Sequence, residues 1–175
     1  MRDTHDVNRE ERIEKARQMA RDRAPQREDE DRKRANRLHQ RLSNVGASQA
    51  QRHITAAEQA GDTVYLGPDK TPREWDTAVE LARLVTIARA KRRDTITYGE
   101  IRWAIYDELK MLIGHSLFPT LMESVNRESD RVLLSSIIVT QDTGLPGDGF
   151  LPYATSMGFD LPVETLQRQV YENFK

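Results

Sequence analysis

The side chains in this sequence best suited to chemistry are cations and amides. Lys91, Arg92 and Arg93 stand in a row, Arg102 follows, and Asn126 and Arg127 are adjacent. Guanidinium and ammonium groups bind phosphate oxygens and an amide reads base edges, so these six are the candidate contacts to nucleic acid. The run 91–93 has a second reading, because cations at a helix C-terminus are favoured by the macrodipole. Other chemistries find little support. His5, His39, His53 and His115 are scattered without the i, i+3 or i, i+4 spacing of a helical metal site, so no metal is expected. With no cysteine there is no disulfide framework, thiolate site or thiol nucleophile. The glycines at 144–149 lack the Gly-Lys-Ser/Thr ending of a phosphate cradle. The acid pairs Asp107 Glu108 and Glu128 Asp130 fall on expected surface positions. No catalytic constellation and no cofactor site is expected, and the chain reads as a non-enzyme.

The elements that must position these residues emerge from composition and periodicity. The chain has 175 residues, 37% apolar and 31% charged, a length that suits one domain plus an appendage. Its net charge of -1 hides an asymmetry: residues 1–53 carry 14 Lys+Arg against 10 Asp+Glu, residues 54–175 carry 13 against 18. Residues 1–61 read as a charged N-terminal arm, partly helical or disordered. Up to about residue 36, Val7, Ile13 and Met19 are its only sizeable apolar side chains, too few to form a core. Arg17, Arg21, Arg23, Arg27, Arg32, Lys33, Arg34, Arg37 and Arg41 make it basic, interrupted by Glu28 to Asp31. Ala35, Leu38, Leu42 and Val45 share one helical face that Gly46 ends, a candidate first docked element. Residues 62–71 read as a linker, and the compact domain is placed at 72–175.

Within that domain Thr71 Pro72 Arg73 Glu74 predicts a capped start to a central helix, buried on most sides and closing at Lys91 Arg92 Arg93. Thr97 Tyr98 Gly99 Glu100 repeats the capping box for a second helix, with Ile101, Ala104, Ile105, Leu109 and Leu112 on one face; Trp75 and Trp103 are expected in the core, Trp103 the more exposed of the two because it departs from that face. A third helix begins near Ser116, and with Gly114 between them the pair forms a helix-turn-helix candidate. Val132 to Val139 read as a buried strand, and the glycine-rich 142–149 after it as a wing. Phe150, Leu151 and Tyr153 start a short helix, and Pro162 opens a last one carrying Leu166, Val170 and Phe174. The fold class is mainly α: a winged-helix-like domain, helix-turn-helix plus short strand and wing, behind a charged arm.

Ile96 Thr97 Tyr98 Gly99 Glu100 Ile101, then Ile113 Gly114 His115 Ser116 Leu117, then the strand at 132–139 and its glycine loop, occur in this order over about residues 72–158. This order resembles the C-terminal DNA-binding domain of the alkylguanine-DNA alkyltransferases and alkyltransferase-like proteins. The loop Thr143 Gly144 Leu145 Pro146 Gly147 Asp148 Gly149 Phe150 is also similar to the Thr-Gly-Leu-Pro-Gly-x-Gly-Phe loop of a group of uncharacterised bacterial and phage proteins. The family's Pro-Cys-His-Arg nucleophile stretch aligns with Leu134 Ser135 Ser136 Ile137, where neither thiol nor imidazole stands, so alkyl transfer is not expected. The arginine with which the family replaces an extruded base falls near Met111. The resemblance implies a third helix against a DNA groove, presenting His115, Ser116, Thr120, Glu123, Asn126 and Arg127.

The expected function is therefore non-catalytic DNA binding through helix 115–126 and the wing at 141–149, with the arginine-rich arm adding phosphate contacts. The alternative is a protein-protein interaction module, a phage or bacterial accessory protein that keeps the fold and uses the arm to dock a protein partner; the acidic balance of 54–175 favours it. The two readings part on whether the cations of 89–102 and 127–131 form one surface with helix 115–126, or are neutralised by Glu100, Glu123, Glu128 and Asp130. No membrane span is expected and a cytoplasmic location is.

Overall fold

A computed structural model describes residues 4–61, 64–127, 129 and 132–175. Glu128, Asp130 and Arg131 lie outside the described residues, as do the side chains of Val7, Ile13, Arg17, Met19, Arg21, Arg23 and Arg27. Among the described residues the chain is mainly helical. Its α-helices are α1 Thr4–Val45, α2 Ala47–Gln59, α3 Pro72–Ala90, α4 Tyr98–Leu109, α5 Phe118–Arg127, α6 Phe150–Ser156 and α7 Val163–Asn173. Two short strands, β1 Ile96–Thr97 and β2 Ile138–Val139, form one small sheet. No helix among the described residues is long and apolar enough to cross a membrane.

The chain divides between Arg34 and Ala35. On the N-terminal side α1 is a charged helix, held locally by Lys33 and Arg32, which pair with Asp29 one turn away. Those cations, Lys33 first, hold the Asp29 carboxyl below its usual range. Such exposed pairs contribute little to stability.

The second unit begins at Ala35, not near residue 72. Leu38 and Leu42 enter the main core and Ala35 packs on Leu84 and Ala88, so the apolar face read from the sequence docks as expected. Gly46 ends α1 in a left-handed conformation, φ 71°. The correction concerns residues 47–59. They form a full helix, α2, whose Ala50, Ile54 and Ala57 are buried in the same core. Two of those three are alanines, which bury little area and carry a weak periodic signal inside a polar stretch.

α3 is buried along most of its length, from Trp75 to Ala90, as its apolar density predicts. Its N-terminus is not closed by a capping box. Thr71 Oγ1 instead accepts from the Gly67 N–H (3.0 Å) and donates to the Gly67 carbonyl (3.1 Å), closing the preceding turn. The second box is complete: Glu100 N–H donates to Thr97 Oγ1 (3.2 Å), and Thr97 N–H donates back to Glu100 Oε2 (2.9 Å). α4 is enclosed, and Trp103 is buried in the core with Trp75, as expected of both. α4 and α5 flank Gly114 and a 3-10 turn at His115–Leu117.

The apolar run at 132–139 is not one strand. Leu134–Ile137 coil into a 3-10 turn and only Ile138 and Val139 extend, pairing parallel with β1 in the register Ile96↔Ile138 and Thr97↔Val139. Its dense hydrophobicity, broken only by the buried Ser135 and Ser136, reflects burial on all sides, which a turn at the centre of a domain shares with an inner strand.

Truncating either docked N-terminal element should cost core energy. Leu42→Ala and Ile54→Ala are each expected to destabilise by about 2–5 kcal/mol, read as a lower urea midpoint; an unchanged midpoint would place α1 and α2 outside the cooperative unit.

Candidate functional site

Parallel pairing brings the C-terminal ends of β1 and β2 to the same edge. Tyr98 follows β1 and the glycine loop follows β2, so the two meet: Gly147 N–H donates to the Tyr98 hydroxyl at 3.4 Å. The loop itself is tightly closed. Thr140 N–H donates to the Leu145 carbonyl (2.8 Å), Gly144 N–H to the Thr140 carbonyl (3.0 Å), and Leu145 N–H to Thr143 Oγ1 (3.1 Å). Gln141 Nε2 donates to Ser48 Oγ on α2 (3.0 Å).

Between this loop and α5 lies a pocket of about 410 Å³. Its walls are aromatic and apolar: Tyr98, Phe118, Met122, Phe150 and Tyr153. The Tyr98 and Phe118 rings meet edge to face, centroids 5.5 Å apart. Burial pushes the Tyr98 phenol up, so it stays neutral and hydrogen-bonding. Polar groups are few: Ser135 in the wall, with His115, Glu123 and Asp148 also on the lining. The lining carries aromatic faces, one serine hydroxyl and carboxylates, and no Lys or Arg, so its charged groups are unfavourable to free phosphate.

Asn126 holds the pocket together. Its Nδ2 donates to Ser135 Oγ (2.8 Å) and the Tyr153 hydroxyl (3.4 Å), while its Oδ1 accepts from Ser135 N–H (3.0 Å). One amide thus joins α5, the 3-10 turn and α6. It donates to Ser135 Oγ and takes no proton from it, so the hydroxyl is held as a hydrogen-bonding group.

Behind the His115 wall stands a buried guanidinium. Arg102, 1% exposed, pairs with Glu58 of α2 and donates through Nε to the Ile113 carbonyl (3.2 Å) and through Nη1 to His115 Nε2 (3.3 Å). A guanidinium has only donors, so His115 accepts here through an unprotonated Nε2.

The six expected nucleic-acid contacts are therefore not one surface. Arg102 and Asn126 are corrected: both are buried and committed to internal bonds, Arg102 because it carries the ion pair to α2 and Asn126 because it braces the pocket wall. Arg127 is exposed and shares a shallow depression with Trp75, Asp76 and Ser124, at the N-terminal end of α3. Lys91, Arg92 and Arg93 are exposed at the opposite end of that helix. Arg89, next to them, is neutralised by Asp94 (2.8 Å) and Glu100 (2.6 Å). Of the other positions expected on the third helix, His115, Ser116, Thr120 and Glu123 are exposed.

The pocket escaped the sequence reading. Four of the nine Phe and Tyr residues line it, and they cluster around the Thr-Tyr-Gly-Glu start, the third helix and the glycine loop. That clustering was the available signal. Among the described residues no group of three or more His, Asp or Glu side chains is placed to hold a metal ion.

Two outcomes are expected. Glu58→Ala leaves the Arg102 charge buried without its counter-ion, so it should destabilise by about 3 kcal/mol, measured by chemical unfolding. His39 is held below its ordinary value of about 6.5, first by burial and then by the charges of Arg92 and Arg89. The unfolded chain takes up that proton first on acidification, so the His39 contribution is complete above about pH 6.5 and is lost as pH falls towards its lowered native value. A His39→Gln variant should show a flatter stability profile in that window. Compared with known protein families, curated proteins and solved structures, the chain matches none.

Proposed function

We propose that residues 35–175 bind DNA without catalysis, with one unpaired base entering the pocket while α5 and the glycine loop lie along the flanking backbone. A single observation carries this reading: Ser135, the position that the alkyltransferase-like resemblance aligns with the family's nucleophile, lines an aromatic pocket between α5 and the glycine loop. In this reading α4 and α5 are the helix-turn-helix and residues 140–149 the wing of a winged-helix-like domain. Tyr98, Phe118 and Tyr153 supply stacking faces, and Ser135 supplies a hydrogen bond to a base edge. Thr120, Ser116 and Arg127 supply backbone contacts from the exposed side of α5 and the turn before it. Asn126 binds nothing directly and positions Ser135. The location that fits is the cytoplasm.

A second reading, docking of a protein partner, is favoured by the exposed Leu145, Leu151 and Met157 on the loop and α6, and by the neutralisation of Arg89. The two readings separate in one experiment. A labelled duplex with a single unpaired nucleotide and its fully paired counterpart are titrated with the full chain and with Gly149→Leu. Gly149 has a negative φ, open space where a Cβ would stand, and a place on the pocket lining, so leucine there fills the pocket without forcing the fold. Wild type is expected to prefer the unpaired nucleotide by about 5- to 150-fold, the range of one base stack, and Gly149→Leu to lose that preference. Equal binding of both duplexes removes the pocket from the reading, and no binding at low salt hands the function to protein docking.

A further inference from the structure

We infer that the turn Lys91–Arg93 is a second, separate anchor for nucleic-acid phosphates, which supplies affinity while the pocket selects the nucleotide; this rests on the DNA-binding reading. Arg93 adopts a left-handed backbone, φ 55°, just past the end of α3. A side chain is strained there, and glycine is the residue that helix ends ordinarily place in that conformation. Strain of this kind persists where the side chain is needed. Among the described residues Lys110 is the other non-glycine residue with a positive φ, and its ammonium faces Asp107 at 3.5 Å. Arg93 has no such acid. Its guanidinium lies over the Tyr171 ring, 5.8 Å from the centroid, and the residue is exposed.

The neighbouring charges are arranged to leave this turn positive. Among the described residues none of Lys91, Arg92 and Arg93 is in an ion pair. Arg92 donates to the Ala88 carbonyl (2.7 Å), which leaves its charge uncompensated. The nearby carboxylates Asp94 and Glu100 both pair with Arg89, whose single charge offsets one of the two, so the three cations of the turn still outweigh the acid left over. The proton affinity of His39 is lowered first by burial and then by Arg92 and Arg89, with Asp94 and Glu100 opposing, so Arg92 is felt as a positive charge on the α1 side.

The pocket needs such an anchor, because Glu123 and Asp148 on its lining repel a phosphate backbone. The separation fits one ligand. Tyr98 follows Arg93 by five residues, so the two are at most about 18 Å apart. At about 3.4 Å per nucleotide along a strand that is roughly five nucleotides. A strand with its base in the pocket is then long enough, within about five nucleotides, to reach the turn.

The test uses the full chain and the duplex with one unpaired nucleotide, titrated from low to moderate salt. In the double variant Lys91→Ala/Arg92→Ala the salt slope is expected to fall by about 2, near 0.9 for each phosphate no longer neutralised, with affinity at 0.1 M salt reduced at least tenfold. Preference for the unpaired over the paired duplex is expected to remain. Arg93→Gly relieves the backbone strain, so its Tm is expected to hold or rise while the slope falls by about 1. An unchanged slope in both variants, with wild-type preference intact, overturns the anchor and leaves the DNA reading standing. A lower Tm in Arg93→Gly with unchanged binding assigns Arg93 to packing on Tyr171 and overturns it as well. Failure of wild type to bind either duplex overturns both readings together.

Discussion

A guanidinium that cannot be neutralised sits inside this domain, and much of the rest is arranged to satisfy it. Arg102 is almost wholly withdrawn from solvent. Leaving such a charge uncompensated costs several kcal/mol, so the surrounding elements are constrained. Glu58 must approach, which fixes α2 against α4 and makes the polar stretch 47–59 part of the core. The Ile113 carbonyl must face inward, which sets the path of the chain between α4 and α5. His115 must present an unprotonated nitrogen, which orients the side chain at one wall of the pocket.

The same economy governs the other wall. Parallel pairing over only two residues per strand is weak by itself, yet it places Tyr98 beside the glycine loop and thereby closes the pocket. Asn126 then ties three elements through one amide. Because all its bonds are internal and buried, its removal would strand polar groups without partners, at a cost beyond that of the bonds themselves. The charge pattern is divided in a parallel way. Carboxylates stand on the pocket lining, while exposed cations gather at the far end of α3.

Much of the architecture was legible in the residues. The box Thr97–Glu100 closes the start of α4 because both partners lie within the same four residues and need nothing from elsewhere. Thr71 and Glu74 carry the same pattern, but the hydroxyl of Thr71 is claimed by Gly67, a competitor outside the box. The face Ala35, Leu38, Leu42 was readable from spacing, and α3, α6 and α7 from apolar density and from Pro72 and Pro162. α2 was not, since alanines mark a buried face only faintly. The run 132–139 was readable as buried but not as a turn, because hydrophobicity reports enclosure and carries no period when every side is enclosed.

The positions of α3, α4, α6 and α7, the Thr97–Glu100 cap, the glycine loop and the absence of thiol chemistry were set within the linear chain. Backbone propensity, capping and periodicity act over a few residues, so their outcome can be read without knowing the fold. The fate of polar side chains was settled only when distant segments met. Arg102, Asn126 and Arg127 are alike as donors in the sequence, yet two are buried and one is exposed, because a polar group's role depends on the partner that reaches it. Glu58 lies 44 residues from Arg102 and Ser135 lies nine from Asn126, and no local rule predicts either meeting.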